Sequence, residues 1–228
     1  MIDFIYPPLC AGCGKQGFSI CQDCLSEIQL VISPYCDVCG RPQKQKGVCE
    51  VCRTDPPPFS ALRSWGFYQG PLREALLSLK YHNNLGLGQF LASHLQTIVL
   101  GNQWDLDIVI PVPLCKTHYK ERSYNQSEMI AYPLSLSLSL PLVTDAIYRV
   151  KETVTQIDLS REERFINLKD AFLGNSAKLK GKKVLLVDDI VTTGATIRSC
   201  AKALLDSGCK TVFCITVAQT SKKSYQTL

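Results

Sequence analysis

VLLVDDIVTTGATI, residues 184–197, joins four apolar residues to two adjacent aspartates and then to a small, hydroxyl-rich turn. The apolar run reads as a buried strand, and Asp188 and Asp189 stand at its carboxyl end, where open parallel sheets bind their ligands. Two carboxylates there can accept hydrogen bonds from the cis hydroxyls of a ribose or help to hold magnesium. Thr192, Thr193, Gly194, Ala195 and Thr196 then open a helix. Backbone N–H groups and threonine hydroxyls at a helix N-terminus cradle phosphate, and Gly194 lets the backbone approach closely. Ribose and phosphate together mean a sugar phosphate. A capped helix after a strand would explain the threonines but not the acid pair.

The surrounding chain supports that reading. Residues 107–113, DIVIPVP, form a short apolar strand stopped by proline, and 211–218, TVFCITVA, form a continuous β-branched one. Apolar residues recur at helical spacing in 71–81 (Leu72, Ala75, Leu76, Leu79), in 87–100, and in 195–208, which Gly208 ends. Buried strands alternating with helices predict an α/β fold with a parallel sheet covered on both faces. The segment YPLSLSLSLPLV, 132–143, conflicts with itself. Its alternation says strand, while Ile130, Leu134 and Leu138 stand four apart as in a helix.

The first 52 residues are different, since they hold eight of the twelve cysteines as four CxxC pairs. A CxxC turn aims two thiolates at one tetrahedral ion, and two such turns complete a four-cysteine zinc site. Seven residues separate Cys13 from Cys21 and nine separate Cys39 from Cys49. Sequential sites are therefore expected: Cys10, Cys13, Cys21 and Cys24, then Cys36, Cys39, Cys49 and Cys52. A cross-braced pairing, first with third and second with fourth, is the alternative. The segment is short and poor in large apolar residues, so structural zinc supplies its stability. The prolines of TDPPPFS, 54–60, make a stiff connector. It divides a zinc-ribbon domain, 1–57, from a larger domain, 58–228.

Residues 1–60 carry 5 basic and 6 acidic side chains, net −1, and residues 61–228 carry 20 and 14, net +6. Attraction to phosphate-bearing partners thus resides in the larger part. The start, MIDFIYPPLC, lacks the basic head and long apolar run of a secretory signal, and no segment has the apolar length of a membrane-spanning helix. A cytoplasmic protein without membrane insertion is expected. Cys115, Cys200, Cys209 and Cys214 read as small core residues, and His94 as structural.

VLLVDDIVTTGAT resembles the signature of the type I phosphoribosyltransferases, which bind phosphoribosyl pyrophosphate (PRPP). More of the chain follows. The loop after 108–113 carries Lys116, His118, Lys120 and Arg122, where such enzymes bind pyrophosphate, and Asn125 and Gln126 come next. Arg149, Thr153, Gln156, Leu159, Arg164, Asn167, Ala171 and Phe172 are spaced as RxxxTxxQxxLxxxxRxxNxxxAF. With the CxxC head, this whole-chain pattern is similar to the ComF family (ComFC or GntX-like). The resemblance implies a zinc-binding head on a type I phosphoribosyltransferase-like domain, and a helix from about residue 124 to 138. It places PRPP with magnesium on Asp188, Asp189, the 192–196 turn, Lys116 and Arg122, with Asp188 and Asp189 in the catalytic role. LKY at 79–81 matches a basic corner of the family, so Lys80 faces either ligand or solvent. One departure stands out: the family has glycine where this chain has Ser123, which matters if that position needs positive φ.

The resemblance implies a protein that handles imported single-stranded DNA in natural transformation, together with a helicase or a DNA-protecting protein of the uptake pathway. Lys116, Lys120, Arg122 and Tyr124 are the nucleic-acid candidates, with Tyr119 and Phe165 as further stacking aromatics. The other reading is an active transferase that joins the phosphoribosyl group to an unknown acceptor with release of pyrophosphate. Magnesium and cations would then stabilise the departing pyrophosphate. The segment after 218 offers no obvious base-reading set.

Overall fold

The computed structural model describes residues 7–81, 84, 86–115, 119, 122–151, 168 and 170–221. Four parallel strands form its sheet: β1 (Ala61–Phe67), β2 (Ile108–Pro111), β5 (Lys183–Val191) and β6 (Thr211–Gln219), in the order β1-β6-β5-β2. A short antiparallel pair, β3 (Ile147–Arg149) with β4 (Phe172–Gly174), stands apart. β5 and β6 are buried on both faces, which is why residues 184–187 and 212–215 are continuous apolar runs. Leu185, Val187, Ile215 and Val217 face one core, while Val184, Leu186, Val212 and Cys214 face the other. The period of two along each strand is intact.

Helices α3 (Gly70–Tyr81), α4 (Gly86–Gly101) and α5 (Gln126–Ser137) cover the first face, and α7 (Ala195–Asp206) covers the second. The short helix α6 (Ser176–Leu179) precedes β5. α7 ends as the sequence predicts. Gly208 takes φ +95°, its N–H reaches the Leu205 carbonyl, and the Cys209 N–H reaches Leu204. That is the glycine-terminated double bond of a Schellman cap. The conflicted segment 132–143 divides in two. Its first half belongs to α5, with Leu134 buried, and Leu142 then lies in extended chain beside Val109 of β2. Pro133, inside α5, has no N–H for the Met129 carbonyl. Gly88 of α4 packs there, since a Cβ on it would lie 2.3 Å from that oxygen.

β1 is a strand that no periodicity announces. It is an edge strand, and its open side is covered by the cysteine-rich head. Val31 N–H bonds to Trp65 O (2.9 Å), Phe67 N–H to Gln29 O (2.8 Å) and Leu62 N–H to Val38 O (2.7 Å). An uncovered edge would invite pairing with another chain. The head also shares the first core, where Cys21, Cys24 and Ile28 pack with Trp65 and Leu72. Its two short helices, α1 (Gln22–Glu27) and α2 (Glu50–Thr54), each start directly after a cysteine. Arg198 of α7 pairs with Asp55 at 2.7 Å and ties the connector to the larger part. His94 stacks on Trp65 with ring centroids 4.1 Å apart, a packing role, and Cys115, Cys200, Cys209 and Cys214 are buried.

Candidate functional site

The two metal centres follow directly from the cysteine spacing. The Sγ atoms of Cys10, Cys13, Cys21 and Cys24 lie within 4.8 Å of one another, as do those of Cys36, Cys39, Cys49 and Cys52. The pairing is sequential, and the cross-braced alternative is excluded. A zinc–sulfur bond of about 2.3 Å implies tetrahedral edges of about 3.8 Å. Cys13 and Cys21 stand 3.6 Å apart, and Cys39 and Cys49 3.8 Å. The thiol sets therefore fit zinc in number, chemistry and spacing.

Backbone donors prepare one thiolate in each centre. Cys21 N–H donates to Cys10 Sγ (3.2 Å) and Cys49 N–H to Cys36 Sγ (3.3 Å). Burial acts to raise the Cys10 pKa, but N–H groups of Cys21, Cys13 and Gly12 outweigh it and bring the thiol down to about 6. In the same way burial of Cys36 is outweighed by the N–H groups of Cys39, Cys49 and Val38, and its thiol falls to about 7. Cys24 and Cys52 move upward through burial and the neighbouring sulfurs. Metal binding must displace those protons, so zinc affinity rises with pH.

The acid pair lies inside β5, whose ladder with β6 runs on to Val191, rather than at its carboxyl end as the sequence predicts. It falls just past Val187, the last partner of β2, and neither carboxylate is solvated. Asp188 is 8% exposed and Asp189 3%. The chain NQS explains how Asp188 is held. Asn125 caps α5, its Oδ1 accepting from Ser127 N–H (3.1 Å), while its Nδ2 donates to Val112 O just beyond β2 (3.0 Å). α5 is thereby pinned to the end of β2, and Ser127 Oγ donates to Asp188 Oδ1 at 2.9 Å. The Asp189 N–H donates to the same oxygen at 2.9 Å. Burial and then the charge of Asp189 still push Asp188 up to about 8, against these hydrogen bonds. Ser127 carries no signal in the sequence beyond its place after the asparagine cap.

Lys80 resolves the question of ligand or solvent, because it does not face solvent. At the end of α3 its Nζ forms an ion pair with Asp189 Oδ2. Burial acts to lower the Lys80 pKa, but the charge and hydrogen bond of Asp189, with help from Asp188, raise it overall. The site thus carries its own counter-charge.

Gly194 adopts the left-handed conformation, φ +83°, at the N-cap of α7, and Ala195 N–H bonds to Thr193 Oγ1 at 3.3 Å. Among the described residues a Cβ at Gly194 would meet only Val191 Cγ2, at 3.9 Å, so the turn is uncrowded there. Thr192 and Thr196 are half-buried and Ala195 is buried. On the β2 side, Arg122 lies over the Tyr81 ring (4.8 Å) and donates to Gln126 Oε1 (3.2 Å) and Tyr81 Oη (3.1 Å). Its Nε is buried without an acceptor among the described residues. The Tyr124 hydroxyl donates to Leu79 O, whereas Tyr81 and Tyr119 are exposed. Ser123 has φ +62°, so the position occupied by glycine in the family does need the left-handed region. Arg149 lies 5.7 Å from the centre of the Phe172 ring. Lys116, His118, Lys120, Thr153, Gln156, Leu159, Arg164, Phe165 and Asn167 lie outside the described residues.

Comparison with known proteins agrees with this geometry. Residues 1–53 match the double zinc ribbon domain, and residues 125–227 match the phosphoribosyl transferase domain. Competence protein F of Haemophilus influenzae is 34% identical over 209 residues, covering 88% of this chain and 85% of that protein. DNA utilization protein YhgH of Salmonella typhimurium is 32% identical, covering 86% of this chain and 88% of its own. Competence protein ComFC of Bacillus subtilis is 28% identical, covering 85% and 81%. Among the described residues no helix is long and apolar enough to cross a membrane. A double zinc ribbon on a type I phosphoribosyltransferase-like fold, matched along most of its length by these proteins, places the chain in the ComF family.

Proposed function

We propose that the protein binds phosphoribosyl pyrophosphate with magnesium across the carboxyl ends of β5 and β2, and that it handles imported single-stranded DNA in the cytoplasm. The observation that carries the first half is the buried Asp188–Asp189 pair followed at once by an uncrowded, left-handed turn at the N-terminus of α7. The residues present fit the ligand. Asp188 and Asp189 offer oxygens to ribose hydroxyls or a hard cation, and the turn offers N–H groups to phosphate. The unpaired Arg122 Nε offers a buried donor to a pyrophosphate oxygen. Magnesium, when bound, neutralises diphosphate charge. Ser127 fixes Asp188, and Lys80 balances Asp189 until ligand hydroxyls or a cation take its place.

The DNA reading is supported by the names of the relatives, competence protein F and DNA utilization protein. It is supported also by the net +6 charge of residues 61–228. The exposed Tyr81 ring, with Arg122 over it, is a cation–aromatic pair of the kind on which single-stranded bases stack, and Tyr119 is exposed as well. A helicase or a DNA-protecting protein of the uptake pathway is the expected partner. The test is anisotropy of labelled single-stranded DNA titrated with zinc-loaded protein, with and without magnesium–PRPP. Salt-sensitive binding that PRPP changes supports the reading. Absence of binding in both conditions counts against it.

A further inference from the structure

Between the second zinc centre and the threonine turn lies a cleft with walls from both halves of the chain. Cys39, Arg41 and Cys52 face it from the ribbon, and Thr192, Thr193, Gly194 and Gln219 face it from the sheet. Gln219 ends β6 and is 4% exposed, yet among the described residues its Nε2 has no acceptor. Buried amide donors without partners are uncommon, and each calls for an explanation. Here a ligand acceptor supplies one. No hydrogen bond or ion pair engages the Arg41 guanidinium among the described residues, whereas Arg198 in the same cleft is committed to Asp55. The first N–H groups of α7 open onto this place as well. What the cleft has to offer is therefore donors and positive charge, which selects an anion.

We propose that the second zinc ribbon is a working wall of the ligand site: Arg41 from the ribbon and Gln219 from β6 grip the phosphate monoester of a sugar phosphate seated on residues 192–196. The proposal rests on the reading of that turn as a phosphate cradle. It adds that the phosphate is held from two sides and that its affinity depends on the ribbon being in place. Two opposing charges are near, the Asp55 carboxylate, which Arg198 pairs, and the second zinc centre. With zinc, the second four-thiolate centre carries about −2, four thiolates against one divalent ion. A purely structural Arg41 would serve only to balance it, and the two roles separate experimentally.

The experiment is calorimetric titration of the full, zinc-loaded protein with ribose 5-phosphate, magnesium–PRPP and pyrophosphate. Zinc content is measured on every variant. Arg41→Ala and Gln219→Leu are each expected to weaken ribose 5-phosphate and PRPP about tenfold or more, the scale of losing one charge-assisted or buried hydrogen bond. Pyrophosphate binding and zinc content stay unchanged, and Arg41→Lys recovers part of the loss. Wild-type affinity in both variants overturns the proposal while leaving the PRPP reading intact. Loss of zinc in Arg41→Ala, with normal binding by Gln219→Leu, overturns it in favour of the structural role. Failure of the wild-type protein to bind either sugar phosphate overturns the reading beneath it.

Discussion

Replacing Lys80 by methionine keeps the length of the side chain and removes its charge. The side chains of Lys80 and Asp189 are 16% and 5% exposed, so the pair is screened little by water. Removing one partner of a buried ion pair costs about 3–5 kcal/mol, because a charge is left without compensation. The site has one escape, which is to take up a proton on the carboxylates. Asp188 already stands at about 8, raised by burial and by Asp189, against an ordinary value of 3.8. A carboxyl raised on folding contributes stability that is complete below its unfolded pKa and is lost as pH climbs through the folded one. Without Lys80 that folded pKa rises further. The deficit of the variant therefore grows with pH, by up to about 1.4 kcal/mol per unit. Urea unfolding at pH 6 and pH 8.5 is expected to show a loss of about 2 kcal/mol or less at the lower pH and about 3 or more at the higher. Equal losses at both, or one below about 1 kcal/mol at pH 8.5, would refute the reasoning.

Ser123→Gly is expected to stabilise the protein by about 0.5–1 kcal/mol, since relief of a left-handed serine outweighs the added freedom of the unfolded chain; urea midpoints check it. Gly14 and Gly40 both have positive φ, but only at Gly40 would a Cβ collide, 2.4 Å from Leu62 O. Gly14→Ala should cost about 1 kcal/mol and Gly40→Ala at least about twice that, measured in parallel thermal melts. Elemental analysis should find two zinc ions per chain, and Cys24→Ser should leave one. Because Cys24 packs with Trp65 and Leu72, that variant should lower the melting temperature of the whole protein rather than release an isolated head.

The parts of this molecule that were legible in its sequence are those with a local cause. Residues 184–187 of β5 and 212–215 of β6 are continuous apolar runs because both faces are buried, and Gly208 marks the end of α7 because only a left-handed residue closes that cap. The cysteine centres declared themselves through spacing alone. β1 did not, because ALRSWGF is held by partners far away in the chain, β6 on one side and residues 29–38 on the other. In 132–143 the alternation points away from the helix of the first half, which the family resemblance implied; Ile130 and Leu134, four apart, mark the buried face of that helix, α5. At the site, Asp188, Asp189 and the turn are consecutive and so were visible. Lys80 and Ser127 reach the acid pair, and Gln219 the cleft beside the turn, from three separate elements, and nothing local to any of them signals it.

The most direct test of the account is calorimetric titration of magnesium–PRPP into wild-type protein and into Asp188→Asn and Asp189→Asn. Saturable one-to-one binding by the wild type is expected, weakened about ten- to a hundredfold in each variant, the scale of one charged hydrogen bond. Binding that is unchanged in both variants, or absent from the wild type, would contradict the assignment of the acid pair.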